Sequence, residues 1–260
     1  MKIITSIEKN FFAIGRYWGN LNGSFVPAPA IYAMSSGIPT DDLNWVWNEK
    51  PLTRENGKTI DQIKNYYEQL SLPFWWWVYP TGQSPLTEKM LQSAGLHFFK
   101  AMPCLAADLS AQALPAGGSS DLEIKLVRDK NDLSLWENTS FAGFDIEDYS
   151  RKQYKKFIAS FDISSGSPQQ LLLACWEGNP AATALLFFYQ DTAGIYFVST
   201  LPGYRRKGIG LTVTLAAMQY AKVAGFKLII LQSSELGLNI YKEAGFQEYC
   251  CANIYSCPTF

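Results

Sequence analysis

Apolar and polar residues change their period along the second half of the chain in a regular way. "LEIKLV" (122–127) alternates with period two and predicts a strand. "DLSLWENTSFAGF" and "EDYSRKQYKKFIASF" carry apolar residues at helical spacing. The long apolar run "QQLLLACWEGNPAATALLFFYQ", broken at 177–180 by turn residues, predicts a hairpin. A strand "AGIYFVST", a helix "LTVTLAAMQYAKVAG", a strand "KLIILQS", a helix "ELGLNIYKEA" and a strand "FQEYCCANIYSC" follow. In the first of those helices Val213, Ala217, Tyr220, Ala221 and Ala224 recur at the spacing of one buried face. Gly225 and Gly245 stand where helices end.

Upstream the same order recurs in fainter form. "NWVWNE" reads as a strand and "IDQIKNYYEQL" as a helix, and "LQSAGL" (91–96) matches "YKEAGF" (241–246) at an offset of 245 − 95 = 150. "RENGKT" (54–59) stands opposite "RRKGIG" (205–210) at 208 − 57 = 151. A repeated order of elements says more than the few identities, and it implies two related halves. "LPAGGSS" (114–120) is small, flexible and without periodic apolar residues, so the boundary between them is expected near 118.

Composition narrows the function classes. With 22 basic and 23 acidic residues among 260 there is no excess positive field for nucleic acid, and the cations 205–207 are a local feature suited to a small anion. "LPFWWWVYP" is the most apolar run and is too short to span a membrane; Trp75, Trp76 and Trp77 are expected in a strand and its core. The start, "MKIITSIEKNFFAIG", lacks the uninterrupted apolar core of a leader. Five cysteines without paired spacing fit neither a disulfide framework nor a zinc site, so a reducing, cytoplasmic setting and no metal are expected. The one histidine, His97, has no triad partners around it.

"YRRKGIG" (204–210) is an unusual way to open a helix. The first N–H groups of a helix lack internal partners and carry a partial positive charge, which makes an anion site. Gly208 and Gly210 clear side chains from the approach to the backbone, and Arg205, Arg206 and Lys207 add charge at the rim, as a pyrophosphate requires. A P-loop is excluded because the final Lys and hydroxyl are missing here, and because Leu52 replaces the first glycine ahead of "GKT" (57–59). A dinucleotide fingerprint fails at Val213. The simpler alternative is a solvated basic turn that caps a helix.

The pair of motifs decides between them. Strand, "RRKGIG", helix, strand and "LGLNIYKEAGF" together resemble the GNAT acetyltransferase superfamily, with Arg205, Gly208 and Gly210 filling its glycine motif and Tyr241, Gly245 and Phe246 its terminal motif. The resemblance covers 122–256 and implies an α/β (α+β) fold, a mixed and mostly antiparallel sheet flanked by helices. Residues 119–260 would be the acetyltransferase domain, and 1–118 a degenerate GNAT-like half similar to those of tandem GNAT proteins. It also implies acetyl-CoA as cosubstrate. The amides from Arg206 through Lys207, Gly208, Ile209 and Gly210 to Leu211 would hold the pyrophosphate, with the Thr212 hydroxyl beside them. The edge of Val198, Ser199 and Thr200 would pair with the pantetheine amides. Tyr241 would be the general acid for the sulfur, and Ser234 stands where the family usually has an Asn. In the first half Thr59, Glu55 and Asn56 replace Gly210, Arg206 and Lys207, which weakens any anion site there. Asp145, Glu147 and Asp148 fall where the family builds acceptor walls, and they read as a solvated face. The implied activity is N-acetylation of a primary amine, on a small molecule or a peptide, by a monomer or homodimer without nucleic-acid or membrane partners. A noncatalytic acyl-CoA-binding or sensing module is the alternative.

Overall fold

Period-two segments form strands and the amphipathic segments form helices. In the computed structural model the described residues are 2–22, 25–28, 31–110 and 121–257. Helix α1 (Lys2–Asn22) comes first, then β1 (Phe25–Ala28), β2 (Ile31–Ser35), β3 (Asn44–Asn48), α2 (Gly57–Gln69), β4 (Trp75–Val78), α3 (Pro85–Ser93) and β5 (His97–Asp108). The rest is β6 (Leu122–Leu126), α4 (Lys130–Gly143), α5 (Arg151–Ala159), β7 (Gln169–Trp176), β8 (Asn179–Tyr189), β9 (Thr192–Thr200), α6 (Ile209–Val223), β10 (Leu228–Gln232), α7 (Leu238–Glu243) and β11 (Gln247–Ser256). The linker expected at 114–120, and with it the boundary of the sequence halves, lies outside the described residues. Contacts divide the chain into one unit of 1–11 with 104–249 and another of 12–103 with 250–260, so that α1, β5 and β11 each begin in one and end in the other.

In the first unit β6, β7, β8 and β9 form an antiparallel meander, β10 joins β9 in parallel, and the end of β5 pairs antiparallel with β10. Parallel pairing requires a crossover, and α6 supplies it. One face of this sheet buries Ala193, Ile195, Ile229 and Leu231 against Ile209, Val213, Ala217 and Ala221 of α6 and Tyr241 and Phe246 beyond it. Val213, Ala217 and Ala221 are buried as the periodicity expects, while Ala224 is exposed because α6 ends at Val223. Met218 and Leu215 widen the buried stripe.

The start of α1 belongs to this unit, and the sequence reading gave it no element. Asn10 stitches it to the sheet: its amide donates to Phe187 O (3.3 Å) and Thr192 O (3.0 Å), and its carbonyl accepts from the Tyr196 hydroxyl at 2.8 Å. Gly194 makes room for this, since a Cβ there would overlap Asn10 Oδ1.

The second unit repeats the plan. Strand β3 pairs in parallel with β4 after the α2 crossover, as β9 does with β10 after α6; β1 and β2 extend one side and the end of β11 pairs with β4. Trp76 is fully buried with its indole N–H on Asn48 Oδ1 at 3.0 Å, and Trp75 and Trp77 bury the other face, as expected for a core strand.

Candidate active site

The site of the first unit is built where β9 leaves β10. Three residues of each strand pair, Thr192–Gly194 with Leu228–Ile230, and β9 then runs on to Thr200 paired only with β8. The gap exposes backbone on the open edge of β9, which includes Val198, Ser199 and Thr200. Across β8 the register slips by one: Leu185 faces Tyr196 and Thr183 faces Ser199, leaving Phe197 and Val198 opposite Ala184. This is a β-bulge, a device that re-aims side chains and frees backbone groups. Phe197 sits in the left-handed region at φ 50°. Its ring packs toward Trp136 (5.6 Å) and Phe144 (5.7 Å) of the α4 side. Ser199 points to the same side, its hydroxyl 2.8 Å from that of Thr183 and its Cβ 2.8 Å from the place a Cβ would take at Gly143. Val198 packs with the α6 core instead, and Thr200 Oγ1 approaches Gly210.

After β9 the chain makes a 3₁₀ turn (Pro202–Tyr204) and two left-handed steps, Arg206 at φ 62° and Gly208 at φ 75°. Gly208 is the N-cap of α6 and has no side chain to satisfy the helix. The first intrahelical bond is Thr212 N–H to Gly208 O at 3.0 Å, so the amides of Ile209, Gly210 and Leu211 lie ahead of the ladder. The space a Cβ would enter at Gly208 is open. Its glycine serves the left-handed backbone conformation, and the approach to the backbone beside it is open.

The cations divide their work. The Arg205 guanidinium donates to Thr200 O and to Gly143 O, each at 3.0 Å, which ties the loop to the ends of β9 and α4. Lys207 Nζ lies 5.4 Å from the Trp176 ring centre and 5.6 Å from that of Tyr204. Arg206 is exposed. The Thr212 hydroxyl turns back to Gly208 O at 3.1 Å, and Ser234 Oγ accepts from the Gly237 N–H at 3.3 Å, ahead of α7.

Tyr241 lies on α7 and is buried among the residues of the α6 face, edge-on to Phe246 with ring centres 6.1 Å apart. Burial pushes its phenol up to about 12. The ring also fills the place a Cβ would occupy at Gly237. On the α4 side, Asp145, Glu147 and Asp148 are exposed, as expected of a solvated face. Two features escaped the sequence reading. Glu137 is buried against Arg151 at 3.2 Å, and the Gln232 side chain, at the last position of β10, buries its Nε2 with no hydrogen-bond partner. A polar residue closing the apolar strand "KLIIL" was the available signal for Gln232.

The matching place in the second unit is built differently. Gly57 opens α2 in the ordinary right-handed region (φ −53°), continuous with a 3₁₀ turn whose start is capped by Thr53 and Asn56. Strand β3 extends one residue, Asn48, past its last β4 pair, and Asn48 Nδ2 donates to Lys50 O (2.8 Å) and Gly82 O (3.1 Å).

Residues 131–246 match the model of the acetyltransferase (GNAT) family. Over that segment, a little less than half of the chain, the sequence is similar to the GNAT family. Among solved structures it is similar to a GCN5-related N-acetyltransferase from Kribbella flavida, with a TM-score of 0.71 and 17% identity over 96% of each chain. It is also similar to a GCN5-related N-acetyltransferase from Sphaerobacter thermophilus, with a TM-score of 0.63 and 15% identity over 87% of this chain and 76% of that one. A tandem GNAT protein from the clavulanic acid biosynthesis pathway gives 0.59 and 13% over 87% and 77%. No curated protein matches the chain. At these identities the likeness is one of fold, and it extends over nearly the whole chain. The family match over 131–246 and the shared fold support acyl transfer in general as the chemistry.

Proposed function

We propose that the protein is an acetyl-CoA-dependent N-acetyltransferase that acetylates a primary amine on a small molecule or peptide. The observation that carries this reading is the loop at 205–211, where two left-handed residues lead from the end of β9 that has parted from β10 into a helix whose first amides have no intrahelical partner. An anion held there stands beside an open strand edge, and an extended amide-bearing chain can pair with that edge as an added strand. Acetyl-CoA has both parts and supplies an activated acyl thioester. Amides 206–211 and the Thr212 region would hold the diphosphate, and 198–200 the extended arm. Arg205 keeps the two parts in register through its fork to Thr200 O and Gly143 O.

Tyr241 holds its proton throughout the neutral range, since its pKa lies at about 12. Against a thiol near 8.5, full transfer from the phenol is uphill by roughly three units, so Tyr241 acts by donating a hydrogen bond at the sulfur position. The first half, 1–118, we read as a degenerate GNAT-like unit, because its helix start lacks the left-handed turn and Asn48, past the last β4 pair, donates to Gly82 O.

Tyr241→Phe separates an enzyme from an acyl-CoA sensor. Acetyl-CoA affinity is expected to stay within about threefold, while thiol release with a productive amine falls on the order of a hundredfold. Thiol release at the uncatalysed rate from the wild-type protein with every amine, binding being intact, would favour the sensor.

A further inference from the structure

Gln232 is the polar group at the mouth of the gap that the loop and Tyr241 leave unused. It is the last residue of β10, two positions beyond Ile230, where pairing with β9 stops. On its other side it is opposite Cys104 of β5, a buried residue. The Nε2 of Gln232 is out of water and without a partner. Buried donors are nearly always paired, and one left unpaired at the open end of a strand pair calls for a partner that arrives from outside.

The face on which it stands identifies that partner. Along a strand, side chains alternate between faces. Ile229 and Leu231 belong to the core beneath α6 and Tyr241, so Ile230 and Gln232 point to the opposite face. Phe197 and Phe144 line the α4 side of the neighbouring β9, on that same face. The cofactor-holding loop and Tyr241 are on the α6 side. A molecule reaching Gln232 therefore enters from the face opposite them, which leaves that face for the acceptor.

We propose that Gln232 selects the acceptor, donating its carboxamide N–H to an oxygen carried beside the reacting amine. The amine itself cannot be this partner: protonated it is only a donor, and deprotonated its lone pair is needed for the acyl carbon. The acceptor class is thus an amine bearing a carboxylate, carbonyl or hydroxyl oxygen, such as an amino acid, an amino amide or an amino alcohol, in preference to a plain alkylamine or polyamine. This rests on the acetyltransferase reading above.

The test uses the full chain, acetyl-CoA, and amines in matched pairs of one carbon skeleton with and without the oxygen. Thiol release by the wild-type protein is expected to favour the oxygen-bearing member by tenfold or more in kcat/KM. Gln232→Leu and Gln232→Met are expected to erase that preference. Two readouts do not depend on turnover. The variants' own thermal midpoints should hold or rise, because an unpaired buried donor has been replaced by an apolar group of similar size. With CoA present, the oxygen-bearing amine should raise the midpoint of the wild-type protein and not of the variants. A preference that persists in both variants, or midpoints that fall by several degrees in both, overturns the assignment while leaving the acetyltransferase standing. No turnover of any amine by the wild-type protein overturns both.

Discussion

Single residues decide whether this site exists. Gly194 lets the α1 amide of Asn10 bridge β8 and β9, and Gly194→Ala would push a methyl into Asn10 Oδ1 and the Tyr196 ring. The expected cost is about 1–3 kcal/mol of stability, read from the urea midpoint, and a variant as stable as wild type would mean α1 is not held this way. Tyr241 was legible as a motif residue with a phenol neutral at pH 7, but the further rise of its pKa to about 12 and its packing on Gly237 follow from burial, which a motif does not report. Arg205 shows the opposite limit. Its charge was read as part of the rim of an anion site, and its guanidinium donates besides to two carbonyls that lie 62 and 5 residues away in sequence.

At the scale of elements, the strands and helices of the second half followed from period and punctuation because each buries one face. The repeat was legible too: strand, turn, helix, parallel strand, short helix and long strand occur in both β3–β5 and β9–β11. What local pattern could not give was the bulge at Phe197 and the role of α1. Both depend on contacts between segments distant in sequence. The loop between β9 and α6 works as one element, so its predictions concern preorganisation. Arg205→Lys keeps the charge but cannot span both carbonyls. Acetyl-CoA affinity should fall about tenfold with little change in the midpoint of the free protein, and amide exchange at 205–209 should quicken. An unchanged affinity would show that the loop needs no such tie.

At the scale of the whole molecule, four buried tyrosines couple folding to pH, Tyr255 among them, its phenol raised chiefly by burial. Burial raises the Tyr67 and Tyr196 phenols well above their ordinary value, and that of Tyr241 to about 12. In the unfolded chain they ionise near 10, so above that pH the unfolded state binds fewer protons and stability is lost as pH rises. The urea midpoint should be level up to about pH 9.5 and then fall. The Tyr241 contribution is lost between about 10 and 12, at a slope of about 1.4 kcal/mol per pH unit. Tyr67 and Tyr196 keep their native hydrogen bonds to Met34 O and Asn10 only while protonated, which adds to the same fall. The central claim, that the left-handed turn at Gly208 holds the diphosphate of acetyl-CoA, is tested most directly by the thermal midpoint of the wild-type protein, Gly208→Asn and Gly208→Asp, each with and without acetyl-CoA. Asn and Asp both tolerate the left-handed conformation, so the free variants should melt together and only the charge distinguishes them. At a hundred times the dissociation constant the ligand should stabilise the wild-type protein by about 2.7 kcal/mol. The account predicts that Gly208→Asn keeps most of that rise and Gly208→Asp loses it. A rise of equal size in Gly208→Asp, or none in the wild-type protein at millimolar acetyl-CoA, would contradict it.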